Sequence, residues 1–155
     1  MHGRDLLWLS PLDRYKAAGP VLLRWFVGFV LVYGTQDNVL HEARMLEFRE
    51  FLAQHAFPAP LASAYLSAYA QFLAGALIII GLLTRWAALV MLVNFSIALG
   101  MVHAGLPFSA NIAPLAMLFG ALFLLIYGAG RFSADAYLRH RDEVPSGGAR
   151  AGVAS

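Results

Sequence analysis

The sequence contains no cysteine, a single lysine and few charged residues of either sign. Without cysteine there can be no disulfide, thiolate metal site or cysteine nucleophile. No run of basic residues interleaves with aromatics, so we expect no nucleic acid among the partners. Charged residues make up 13% of the chain and hydrophobic residues 60%, whereas soluble domains average about 25% charged residues. The composition therefore indicates an integral membrane protein.

Long polar stretches are also scarce, and the two that exist lie at the chain ends. The N-terminal stretch has an apolar core of only four residues, Leu6 to Leu9, flanked by Asp5 and Asp13. A cleavable signal peptide needs about 7–15 apolar residues, so we predict that residues 1–19 form a retained cytoplasmic segment lying on the membrane surface. The polar residues 139–155 are predicted to form a disordered cytoplasmic tail, which leaves 20–138 as the membrane domain.

Four apolar stretches within that domain are each long enough to cross a bilayer, which takes about 20 residues. The predicted spans are Pro20 to Leu40, Leu61 to Leu83, a third from Arg85 to just before Gly105, and Asn111 to Tyr127. No Asp, Glu, Lys or Arg occurs between Trp86 and Gly130. One helix over that stretch would be about 65 Å long, twice the hydrocarbon thickness. The chain must therefore turn back near Gly105 to Pro107, and the predicted fold class is an all-α, four-span membrane bundle.

A short amphipathic helix is predicted between the first two spans. Its apolar residues Met45, Phe48 and Leu52 recur at helical spacing, and this pattern is typical of a helix lying at the membrane interface. With four spans, nine of the Lys and Arg residues fall on the side of the termini and only Arg44 and Arg49 on the other. The positive-inside rule then places both termini in the cytoplasm of a multi-pass inner-membrane protein.

Polar residues inside the predicted spans are the candidate site residues, because such groups are costly in lipid and often mark function. For Gln71 and Asn94 the alternatives are a hydrogen bond that holds the helices together or a contact with a ligand. For His41 and His103 they are hydrogen bonds at the interface or a shared metal, quinone or proton site. Asp37 is either a functional or partner-binding group or a capped structural carboxylate. Arg24 is interpreted differently, as a residue that extends its charged group to the membrane surface. The ligand-binding candidates are Asp37, His41, Gln71, Asn94 and His103.

Several segments, taken in order, resemble the DoxX family of small four-span membrane proteins. The more specific pieces are G-L-L-T-R at residues 81–85 and G-x-G-R-x-S-x-D at residues 128–135. They are accompanied by LLRWFVGFVLVYG at residues 22–34 and by Val102-His103. The family often has a Lys after the glycine of the first span and a Glu in the second. The matching places here are Asp37 or Asn38, and Gln71, so a cation–carboxylate pair is replaced by a carboxylate and an amide.

The resemblance implies a bacterial inner-membrane protein linked with redox or quinone-coupled complexes. Because the family pair is altered, and because the chain lacks a haem-attachment motif or nucleotide-binding loop, we expect a subunit that is not catalytic on its own. Its expected partners are the bilayer and other subunits of a redox assembly. The alternatives are a quinone-reactive subunit with a site near the outer leaflet, and a small transporter or channel. No covalent cofactor and no metal are expected, and quinone is the candidate ligand.

Overall fold

The computed structural model describes residues 15–143, and every regular element within that range is a helix. The predicted all-α class is therefore confirmed for this part of the chain. The predicted surface segment at residues 6–9 and the tail beyond residue 143 lie outside the described residues. The six helices are α1 Gly19–Leu40, α2 Glu42–Gln54, α3 Pro60–Ile80, α4 Thr84–Met101, α5 Phe108–Tyr127 and α6 Ala134–Glu143.

Most of the long helices begin and end where the breakers in the sequence suggested. A proline lies at the start of α1 and of α3, where its missing N–H has no helical partner to lose. α3 nevertheless ends at Ile80, before the predicted Leu83. Gly81 adopts φ +78°, and its N–H donates to the carbonyl of Leu77 at 2.8 Å. Hydropathy does not reveal this end, because Leu82 and Leu83 are as apolar as the helix before them.

Three of the helices are long and apolar enough to cross a membrane: α3, α4 and α5. The chain turns between Met101 and Phe108, so the uncharged stretch does form two helices. α5 begins at Phe108, earlier than the predicted Asn111, because Pro107 precedes its first turn as the N-cap residue. α1 has 22 residues but does not reach the same hydropathy, since it carries Arg24 and the polar run at residues 35–38.

The four long helices form a bundle in which α1 contacts α3 and α5, and α4 contacts the same two helices. α1 and α4 therefore lie across the bundle from each other. Four of the nine buried core residues are alanine, and glycines of α1 and α3 face each other beside them, so the helix backbones approach closely. A Cβ placed on Gly28 of α1 would lie 2.7 Å from the carbonyl oxygen of Gly75 of α3. The buried core residues are Val27, Leu31, Ala74, Ile78, Ala87, Ala88, Met91, Ala121 and Leu124.

The short helix α2 packs its apolar side against the first half of α3. Met45 and Leu52 are buried there against Ala64 and Ala68, and Phe48 is half-buried beside them. These are the residues whose spacing predicted one apolar face. That face is used for contact with the bundle, while Leu46 and Phe51 remain exposed.

The last helix, α6, continues to Glu143 and so includes residues 139–143, where the disordered tail was predicted to begin. The Ala136 N–H donates to the Ser133 hydroxyl at 3.1 Å, which satisfies one of the free donors of its first turn. The first turn contains the acidic Asp135, and the last turn contains the basic His140 and Arg141. Acidic groups near the N-terminus and basic groups near the C-terminus interact favourably with the helix dipole. These local interactions stabilise a helix in a segment whose polar composition predicted a tail.

Candidate functional site

Arg24 is buried at the end of the bundle where α1 begins, with only 3% of its surface exposed. Its Nη1 donates to the carbonyl oxygen of Ala129 at 2.7 Å, and its Nη2 donates to that of Phe132 at 2.8 Å. The prediction that this side chain extends to the membrane surface is therefore wrong. The loop after α5 folds over the guanidinium and supplies carbonyl acceptors that satisfy two of its nitrogens.

Asp135 links the same loop to the start of α4. Its Oδ1 accepts from the N–H of Leu83 at 2.8 Å, and its Oδ2 accepts from that of Thr84 at 3.1 Å. The Asp135 N–H in turn donates to the carbonyl of Gly81 at 2.9 Å. A carboxylate at this position caps the free donors at the N-terminal end of α4 and complements the helix dipole.

Gly81 sits between these two sets of contacts. A Cβ at this position would lie 2.6 Å from Nη1 of Arg24 and 2.7 Å from the Cβ of Ser133, and the backbone has φ +78°. Both the space and the conformation therefore require glycine. We call Arg24, Gly81, Ser133 and Asp135 the arginine clasp. It joins the G-L-L-T-R segment to the G-x-G-R-x-S-x-D segment, the two pieces that carried the family resemblance.

A second polar group lies between α3 and α4, in the middle of the two helices. The Ser67 hydroxyl donates to Oδ1 of Asn94 at 2.9 Å, and Nε2 of Gln71 donates to the Ser67 oxygen at 3.1 Å. All three side chains are half-buried. The structure thus brings together two of the five predicted site residues, and it does so through a serine that was not among them.

Replacing Ser67 by alanine should lower the free energy of unfolding in detergent by about 1 kcal/mol, the typical scale of a hydrogen bond between membrane helices. The change removes the oxygen that bonds to both Gln71 and Asn94. Ser96→Ala is the matched control, because the Ser96 hydroxyl bonds to the Leu92 carbonyl of its own helix at 2.7 Å. Equal losses in the two variants, measured by thermal or denaturant unfolding, would contradict a special role of the network.

Asp37 and His41 lie at the opposite end of α1, and both are exposed. They are joined through the backbone, since the His41 N–H donates to the Asp37 carbonyl at 3.0 Å. Within residues 15–143 neither side chain forms a hydrogen bond or ion pair. Arg44 instead bonds to Glu47 at 2.8 Å, and this bond and the charge of Glu47 raise the pKa of Arg44, with a smaller contribution from the charge of Asp37.

His103 follows α4 and therefore comes from the helix across the bundle from α1. Its ring is half-buried, and its Nδ1 is buried with no hydrogen-bond partner in the described part of the chain. No hydrogen bond links it to Asp37 or His41 among residues 15–143. Over the same residues, no three His, Asp or Glu side chains gather closely enough to hold a metal ion.

Sequence reasoning missed the arginine clasp as a set of contacts, although it singled out the segments that form it. The signal was available in Ser133 and Asp135, the polar residues of the second motif, which have no role in a purely apolar span. Arg24 alone carries no such signal, because its partners are backbone carbonyls and any sequence supplies those.

Comparison with protein families supports the resemblance seen in the sequence. The family model described as DoxX matches residues 19–104, which is more than half of the chain. The match spans α1 to α4 and ends before the loop and helix that supply Ser133 and Asp135. Comparisons with curated proteins and with solved structures gave no match.

Proposed function

This chain belongs to the DoxX family of small membrane proteins, and from that premise we propose that it is a non-catalytic accessory subunit of a larger membrane redox assembly. The observation that carries the proposal is the use of the polar groups inside the bundle. Arg24 binds loop carbonyls, Asp135 caps α4, and Ser67 joins α3 to α4. These groups stabilise the bundle. The outer surface is therefore the part that binds other subunits.

Four spans are part of this proposal, with α1 as the fourth beside α3, α4 and α5. Its length of 22 residues suffices, and two nitrogens of the buried Arg24 donate to carbonyl oxygens of the protein rather than face lipid. α2 then lies at the outer interface. Both termini are cytoplasmic, because nine of the eleven Lys and Arg residues fall on their side of such a bundle.

Reporter fusions test this arrangement directly. A fluorescent protein fused after Arg139 should be active, and alkaline phosphatase inserted at Gln54 in α2 should be active, because the first reporter works in the cytoplasm and the second only outside it. The two reporters exchanged between the same positions serve as the controls. Phosphatase activity at Arg139 together with fluorescence at Gln54 would reverse the orientation.

An aromatic ridge on α1 is the proposed contact surface for the other subunits. Phe29 and Tyr33 stack one turn apart with ring centroids 5.7 Å from each other, and each exposes more than 60% of its surface. The ridge continues through other large exposed side chains on this helix. Its members are Leu22, Trp25, Phe26, Phe29 and Tyr33.

Purification in a mild detergent, followed by mass spectrometry of the subunits that remain attached, tests the accessory role. The wild-type chain should retain oxidoreductase subunits, and Phe29→Ala with Tyr33→Ala should lose most of them while keeping its melting temperature. Tyr65→Ala with Tyr69→Ala is the matched control, because that pair also stacks one turn apart but lies on α3. Recovery of the wild-type chain without any redox subunit would contradict the proposal.

A quinone-reactive subunit is the second candidate, and it is favoured by Nδ1 of His103, which is buried without a hydrogen-bond partner among residues 15–143. In this proposal a quinone lies at the end where α1 and α4 finish, near His103, Asp37 and His41. The amides of Gln71 and Asn94 lie deeper in the bundle.

The purified chain should then bind decylubiquinone, and His103→Ala should weaken the binding at least tenfold. His140→Ala, at the other end of the molecule, should leave it unchanged. Equal binding by all three proteins would reject this site.

A further inference from the structure

A cleft of about 470 Å³ opens beside the arginine clasp, between the start of α4, the loop after α5 and α6. Its polar lining is mostly basic. Three arginines contribute to it, Arg85, Arg131 and Arg139, against a single carboxylate, Asp135. Counting these groups, the lining carries a net charge of +2 (three positive charges and one negative). A cleft of this volume is in the usual range of small-ligand sites, about 300–1,000 Å³.

In the described part of the chain, these arginines keep most of their donors free of protein partners. Arg85 makes one long hydrogen bond of 3.2 Å to the carbonyl of Ile126, and none of the three forms an ion pair in residues 15–143. Asp135 offsets one of the three charges, but its oxygens accept hydrogen bonds from the start of α4 and form no ion pair with these arginines in the described residues. The cleft therefore presents guanidinium groups with free donors, which match the oxygens of a phosphate.

The position of the cleft identifies the source of that phosphate. It lies where α4 begins and α5 ends, and both are helices suited to crossing the membrane. Tyr127 lines the cleft, and Trp86, next to Arg85, is 68% exposed. Tyrosine and tryptophan at span ends favour the level of the lipid headgroups. The phosphates of lipid headgroups lie at this level.

We propose that this cleft binds the phosphodiester headgroup of an anionic phospholipid. Arg131 and Arg139 contact the phosphate oxygens, and Arg85, held against Gly128, forms the wall on the α4 side. A bare glycine helps here: a Cβ on Gly128 would lie 3.3 Å from Nε of Arg85 and would crowd it. Basic groups of this kind between membrane helices are typical of anionic-lipid recognition. The bound lipid would also cover the arginine clasp from outside.

Titration of the full-length chain in detergent with dioleoylphosphatidylglycerol, followed by native mass spectrometry, tests the site. The wild type should bind one such lipid more tightly than dioleoylphosphatidylcholine. Arg131→Gln with Arg139→Gln should weaken that binding about 30-fold, on the scale of two basic residues near an anionic surface. Both side chains are exposed and make no hydrogen bond in the described residues, so the variant should keep the lipid-free melting temperature.

Arg44→Gln with Arg49→Gln is the matched control, because it removes the same charge from α2, away from the cleft. It should leave the binding unchanged. An equal loss in this control, or equal binding of phosphatidylcholine, would overturn the site by showing that overall charge or hydrophobicity is responsible. A parallel arm adds inorganic phosphate: displacement of the lipid by micromolar phosphate would overturn the lipid assignment in favour of a soluble phosphate compound.

Discussion

Replacement of Arg24 by leucine should lower the free energy of unfolding in detergent by about 3 kcal/mol, since hydrogen bonds from a charged donor contribute about 1.5–3 kcal/mol each. The change removes the bonds to the carbonyls of Ala129 and Phe132. Leucine gives these oxygens no donor, and the loop after α5 then loses its attachment to α1. Thermal unfolding followed by circular dichroism measures the loss.

Arg24→Lys separates the contribution of the positive charge to stability from that of the two guanidinium donors. An ammonium group keeps the positive charge but cannot present two donors with the spacing of a guanidinium, so an intermediate loss is expected. Arg85→Leu serves as the control, because Arg85 is exposed and makes one hydrogen bond of 3.2 Å. It should cost less than about 1 kcal/mol. A stability of Arg24→Leu equal to that of Arg85→Leu would show that the arginine clasp contributes little.

Gly75→Leu should destabilise the bundle by about 3 kcal/mol, at the upper end of the usual cost of overpacking. A Cβ on Gly75 would lie 2.9 Å from the carbonyl oxygen of Gly28 and 2.9 Å from the Cβ of Leu31. The first of these atoms belongs to the backbone of α1 and cannot rotate away. The helices must separate, and in lipid the larger side chain brings no compensating hydrophobic gain.

Gly75→Ala gives a graded version of the same test, with an expected loss of about 1–2 kcal/mol. Gly34→Leu is the control on α1, because a Cβ at Gly34 meets no atom within 4 Å. Leucine there improves helix propensity, so stability should stay the same or rise by up to about 1 kcal/mol. Destabilisation by Gly34→Leu as large as that by Gly75→Leu would show that general changes in the helix, not the close contact, are responsible.

The candidate site was only partly accessible from the sequence. Helical spacing placed Gln71 on the same face as Ser67, and depth along the helices placed Gln71 level with Asn94. The bond between Ser67 and Asn94 at 2.9 Å depends on the rotation of α3 against α4, which no local pattern encodes. The same limit applies to His103 and His41, since the pairing of helices decides whether two residues at one end of a bundle meet.

The sequence by itself determined that this protein lies in a membrane, that it is helical, and where the uncharged stretch turns back at residues 105–107. Lipid leaves the backbone no hydrogen-bond partner outside the helix, so apolar length dictates the first two features, and the breakers Gly105 and Pro107 mark the turn. Only the tertiary structure decided that α3 ends at Ile80, where Gly81 packs against Arg24, and that Arg24 is buried. Arg24 reaches carbonyls more than 100 residues away in the chain. Every residue has the same backbone carbonyl, so the sequence cannot show which carbonyls accept from the guanidinium. The packing of the loop against α1 decides this.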